Sequence, residues 1–160
     1  MLAYLMQIGV NEGYEPVQPI HFSHKIHAGD NQIDCQYCHS GARSSAMAAV
    51  PSLNVCMGCH NTISEYEGEE DLANGYTKEF YTKEIKKLYE AVGWDEQKFR
   101  YTGTPKGVQW VRIHKLPDFT YFNHSQHVAV GGLDCQKCHG EVQQMEVVHQ
   151  HAPLTMGWCI

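Results

Sequence analysis

The chain has 160 residues, about the length of one domain, and a formal charge of −6 when its 11 histidines are neutral. No basic cluster interrupts that acidity, which excludes nucleic acid and anionic lipid as binding partners read from charge. Seven cysteines set against scarce apolar runs leave little side-chain core and point to a bulky cofactor filling the interior.

Taken in chain order, Met1–Val10 is mostly apolar but too short to cross a bilayer. It lacks the basic start and small-residue cleavage site of a signal peptide. Residues 1–18 are therefore read as an N-terminal segment carrying the remnant of a membrane anchor. Residues 19–63 form a first module. Residues 64–119 are an insert, opening on Glu65, Glu67, Glu69, Glu70 and Asp71, a solvated loop or, on a sharper reading, a docking patch for a basic partner. Thr77–Val92 then carries apolar residues at Tyr81, Ile85, Leu88, Tyr89 and Val92, the spacing of a helix. Gly93 follows as its stop. A short strand is expected over Val108–Ile113, and Trp94 and Trp110 are expected to pack the insert. Residues 120–160 form a second module, and helix is also expected over Ser44–Val50, ending at Pro51.

Cys-x-x-Cys-His occurs at Cys35–His39, Cys56–His60 and Cys135–His139. This is the attachment spacing of c-type haem. The two thiols, Cys35 and Cys38, Cys56 and Cys59, or Cys135 and Cys138, add to the haem vinyl groups. The adjoining His39, His60 or His139 becomes an axial ligand. One short helical turn places all three groups on the same side. The seventh cysteine, Cys159, starts a fourth motif that the end of the chain cuts short, so the expectation is haem c at three complete sites and part of a fourth, on a C-terminally truncated fragment.

An internal repeat supports this count. At an offset of 100, Phe22, His24, His27, Asp34, Cys35, Gln36, Cys38 and His39 match Phe122, His124, His127, Asp134, Cys135, Gln136, Cys138 and His139. Pro51-Ser-Leu-Asn-Val-Cys56 likewise corresponds to Pro153-Leu-Thr-Met-Gly-Trp-Cys159. The expected fold is mostly irregular with short α-helices: two repeated di-haem modules of a multihaem cytochrome c, class III-like, with a helical insert.

Each iron needs a second axial ligand. His24 and His27 are three residues apart, as are His124 and His127, so on a helix each pair shares a face and can serve two irons. His24 is assigned to the haem on Cys35 and Cys38, and His27 to a neighbouring haem; His124 and His127 repeat the scheme. His149 or His151 completes a fourth or more distant haem, with His151 favoured. His21 and His114 have no repeat equivalents and are left as structural. Met47, Met57, Met145 and Met156 compete as distal ligands that would raise a potential, although methionine more often packs. Iron closed by two imidazoles has no open position, so the chain is expected to pass electrons and to have no catalytic site of its own. Two rivals remain: a zinc module on Cys35, Cys38, Cys56 and Cys59, which leaves the motif histidines unexplained, and an enzyme with one five-coordinate haem.

The paired Phe-x-His-x-x-His units resemble the class III multihaem cytochromes. Longer stretches narrow the likeness: Gln18–His27, Ile33–His39, Pro51–His60, Trp110–Asp118 and Tyr121–Gly132 resemble the pentahaem cytochrome subunit of bacterial alternative complex III. That resemblance implies a membrane-anchored subunit on the periplasmic side of the inner membrane. It also implies partners: an iron–sulfur/molybdopterin-like subunit, quinol-oxidising membrane subunits and a monohaem cytochrome.

Overall fold

A computed structural model describes residues 9–117 and 119–160. The anchor reading of Met1–Val10 falls almost wholly outside the described residues, and no described helix is long and apolar enough to cross a membrane. The fold is mostly irregular, with short helices and one small sheet, as the sequence implied.

The described elements follow the chemistry of their sequences. A wide turn with i→i+5 backbone bonding spans Lys25–Asp30, and its counterpart in the second repeat spans Gln126–Val130. Helix α1 is Cys35–Cys38, capped by the Asp34 carboxylate, which accepts from the Gln36 N–H at 2.7 Å. Helix α2 is Leu53–His60. Helix α3, Lys78–Val92, begins where the Thr77 hydroxyl accepts from the Phe80 N–H at 3.1 Å. It ends where Gly93 turns left-handed at φ +71°. Strands β1, Trp94–Asp95, and β2, Arg100–Tyr101, pair antiparallel. Helices α4, Gln136–His139, and α5, Met156–Cys159, complete the set.

Two expectations are corrected. No strand is described over residues 108–113; the strand pairing of the insert falls instead at Trp94–Asp95 and Arg100–Tyr101, where a short loop lets the two segments meet antiparallel. Nor is there a helix over residues 44–50. A 3₁₀ turn, Ser40–Arg43, comes instead, and the chain folds back so that the Met47 carbonyl oxygen lies 2.5 Å from where a Gly41 Cβ would stand. Helix would have consumed the carbonyls of Ser45 and Ala46 internally; here they accept from the Ser125 N–H and from His124.

The chain divides into two compact units. One comprises Gln18–Phe22 and Pro51–Trp110. Its core is Met57, Leu88, Tyr89 and Val92, with Ile20, Leu53, Cys56, Ile85 and Trp94 packed against it. Buried Glu84 holds the His21 N–H at 2.8 Å and Lys87 Nζ at 2.6 Å. The His21 ring itself lies against Tyr76, Phe80 and Tyr81.

The other unit comprises Ser23–Val50 and Val111–Ile160 with the described residues up to Val17. Here the two repeat copies bond to each other symmetrically. The Lys25 N–H donates to the Met145 carbonyl at 3.0 Å, and the repeat-equivalent Ser125 N–H donates to the Ser45 carbonyl at 3.1 Å. Gln136 bonds Gln143 as Gln36 bonds Arg43. The only buried hydrophobic residues described in this unit are Ala42 and Ala152. Such a unit lacks the apolar side chains that normally offset the entropy of ordering a chain.

Candidate haem centres

The three attachment motifs lie on or across single helical turns, α1, α2 and α4. A helix rises slowly enough that residues three and four apart face the same way. Both sulfurs and the imidazole therefore come to one side. No disulfide joins any of the seven cysteines. Burial, and then the neighbouring Cys35, push the Cys135 thiol up; burial, and then Cys159, push up Cys138.

The histidine rings form a consistent pattern. His24 and His39 lie with ring centres 6.4 Å apart and planes 3° from parallel. Their repeat equivalents, His124 and His139, lie 6.5 Å apart at 8°. Two imidazoles bonded to opposite faces of one metal, each at about 2 Å, have ring centres roughly 6.3 Å apart. The spacing thus suits a shared iron and exceeds ordinary ring contact.

On five of the histidine rings Nδ1 lies against a backbone carbonyl. His39 Nδ1 lies 2.6 Å from the Ala49 carbonyl oxygen, and His60 Nδ1 lies 2.9 Å from that of Ile63. His124 Nδ1 lies 2.9 Å from the Ala46 oxygen. His27 and His127 Nδ1 each lie 2.8 Å from the carbonyl four residues back, on Ser23 and Asn123. A carbonyl oxygen only accepts, so each Nδ1 carries the proton. The neutral ring then has its lone pair on Nε2, the state a metal requires. Burial, followed by the nearby His39 and His27, lowers His24 to about 4. Burial, followed by His114, His124, His39 and His24, lowers His139 to about 4. Both are neutral near pH 7.

Other sequence-named residues are more scattered. His151 is exposed, its ring against Gly140. His149 Nδ1 stands 3.8 Å from a Glu15 carboxylate oxygen. Cys159 is exposed at the end of α5. Met57 is buried in the side-chain core, while Met47 and Met156 are mostly exposed. Among the described residues no three His, Cys, Asp or Glu side chains converge as a metal cage. One residue the sequence set aside proves close to the chemistry. His114 Nε2 lies 3.2 Å from His139 Nδ1, with the rings perpendicular at 4.4 Å. It has no repeat equivalent, and repeat matching was the signal used.

Residues 20–79 match the family described as cytochrome c7 and related cytochrome c. The chain carries a cytochrome c7-like, multihaem c-type segment. It is also 29% identical, over 122 residues, to the menaquinone reductase multiheme cytochrome c subunit of Nitratidesulfovibrio vulgaris strain Hildenborough. That alignment covers 76% of this chain and 45% of the relative, so the chain spans about half the length of the curated relative it matches. The donor set fits haem c: cysteine pairs for covalent attachment, paired imidazoles with ring centres 6.4 and 6.5 Å apart, and a unit whose described buried hydrophobic residues are only Ala42 and Ala152.

Proposed function

We propose that this cytochrome segment conducts electrons within a quinone-linked membrane complex of the alternative complex III type. The carrying observation is the pair of facing, near-parallel imidazoles, His24 with His39 and His124 with His139, at 6.4 and 6.5 Å. Cys35 and Cys38, Cys56 and Cys59, and Cys135 and Cys138 hold haem c by thioether bonds, and Cys159 begins a fourth site. His39, His60 and His139 would each bind the iron of the haem attached beside them. His24 and His124 would supply the second imidazole at the first and third sites. His27 and His127, each with its Nδ1 proton held by a backbone carbonyl, serve neighbouring irons, and His151 serves a fourth.

Haem iron supplies one-electron exchange between its ferric and ferrous states. The protein's part would be to supply two imidazoles to each iron, which would keep oxygen and substrate off the metal. Bonds at Nδ1 fix the rings of His27, His39, His60, His124, His127 and His139, and such bonds tune ligand basicity. The family resemblance supports a periplasmic, membrane-anchored setting. It further supports three kinds of partner: an iron–sulfur/molybdopterin-like subunit, quinol-oxidising membrane subunits and a monohaem cytochrome.

A second reading concerns direction. The relative is named for menaquinone reduction, which favours electrons entering the quinone pool instead of leaving it. A redox-titrated absorption spectrum of protein matured with haem-attachment machinery tests the proposal. Low-spin covalent haems at three complete motifs support it; a colourless product, or a high-spin haem binding carbon monoxide, refutes it. Reduction of the purified complex by a quinol analogue, against oxidation of the prereduced complex by a quinone, separates the two directions.

A further inference from the structure

We infer that His114 is a positioning residue that sets the potential of the haem on Cys135 and Cys138 through its bond to His139. The inference rests on the haem reading above.

The three motif histidines have three different Nδ1 partners. His39 and His60 face backbone carbonyls, of Ala49 at 2.6 Å and of Ile63 at 2.9 Å. His139 faces the imidazole nitrogen of His114 at 3.2 Å. The first and third sites are otherwise repeat equivalents, with the same ring spacing and near-parallel planes. Among the motif histidines, only His139 has a side-chain nitrogen for its Nδ1 partner.

The direction of the bond follows from the metal. Either His139 donates from Nδ1 and keeps its Nε2 lone pair, or His114 donates from Nε2 and His139 carries its proton on Nε2. Only the first leaves His139 able to bind iron. His114 is therefore the acceptor, with its own proton on Nδ1. Its segment is held in place: Arg112 Nε–H donates to the His114 carbonyl at 2.9 Å, and Lys115 Nζ stands 5.6 Å above the Tyr14 ring centre. An aromatic nitrogen lone pair drawing on the Nδ1 proton increases electron donation from Nε2. Greater donation favours ferric iron and lowers that haem's potential.

The test compares His114→Leu and His114→Gln with the unaltered holoprotein by mediated redox titration, following each haem's absorption and electron paramagnetic resonance signal. Leucine removes the acceptor; glutamine keeps one through its side-chain carbonyl, as Ala49 and Ile63 do for their partners. In the leucine variant the reduction equilibrium constant of one haem rises about tenfold, a shift of roughly 59 mV for one electron. In the glutamine variant it moves back towards the original value. All haems stay low-spin. Two results overturn the inference while leaving the haem reading intact: unchanged potentials in both variants, or a haem turned high-spin, which would make His114 an iron ligand. Should leucine prevent maturation, the glutamine variant decides by itself: a low-spin haem with a shifted potential supports the inference, and an unshifted one overturns it. An unaltered protein without covalent haem would instead defeat the underlying reading.

Discussion

Gly140→Ala tests how tightly the backbone behind an iron ligand is held. Gly140 directly follows His139 and sits at φ +71°, ψ −167°, a conformation nearly restricted to glycine. An added Cβ would stand 2.6 Å from His151 Cγ and 3.0 Å from its Cβ, so the ring root must shift as well. Backbone strain of this kind costs about 2 kcal/mol, and for a chain of this size that lowers the melting temperature by roughly 4–8 °C. The repeat-equivalent residue is Ser40, which is not in the positive-φ region, so Ser40→Ala serves as a control expected to change stability by less than about 0.5 kcal/mol. The assay is thermal unfolding of the two holoproteins followed by the low-spin haem band. Equal melting temperatures for Gly140→Ala and the unaltered protein would refute the reasoning, as would an equal loss in the Ser40 control.

Four further outcomes are expected. Protein made without haem attachment should show hydrogen-exchange protection in α3 and its contacts and little in residues 23–50 and 111–160, because the buried hydrophobic residues described there are Ala42 and Ala152; equal protection in both units would contradict this. His27→Ala should turn one haem high-spin while the haem of His24 and His39 keeps its spectrum; an unchanged spectrum removes His27 from the ligand set. Tyr89→Phe deletes the hydroxyl that donates to the His60 carbonyl and should cost about 1 kcal/mol, with any spectral change confined to the haem of Cys56 and Cys59. Acidification of the holoprotein should weaken the fold below about pH 6.5. Burial, and then neighbouring histidines, lower His24 and His139 to about 4 from 6.5, and iron bound at Nε2 would oppose their protonation further, so the unfolded chain takes up protons first as pH falls. Their stabilisation is fully present above 6.5 and declines as pH drops below it. The denaturant midpoint at pH 5 should therefore lie below that at pH 7, and an equal or higher midpoint would count against neutral burial.

Much was legible in the residues themselves. Cys-x-x-Cys-His is a local spacing, and a helical turn converts it into a shared face without help from the rest of the chain. Helix α3 was equally readable, because its apolar period, its Thr77 cap and its Gly93 stop are all local signals. The repeat named His24, His27, His124 and His127 as chemically special. Tertiary structure decided which ring faces which, since residues 24 and 39, or 124 and 139, meet only after the chain folds back. It also decided what each Nδ1 bonds to. The acceptors at Ser23, Ala46, Ala49, Ile63 and Asn123 are backbone carbonyls, which every residue type possesses, so no side-chain pattern could announce them. The same cause defeated the helix expected over residues 44–50: its carbonyls were needed by the other repeat copy. His114 escaped notice because it reaches His139 across 25 residues with no equivalent in the first copy, and only the folded chain brings the two imidazoles within a hydrogen bond of each other.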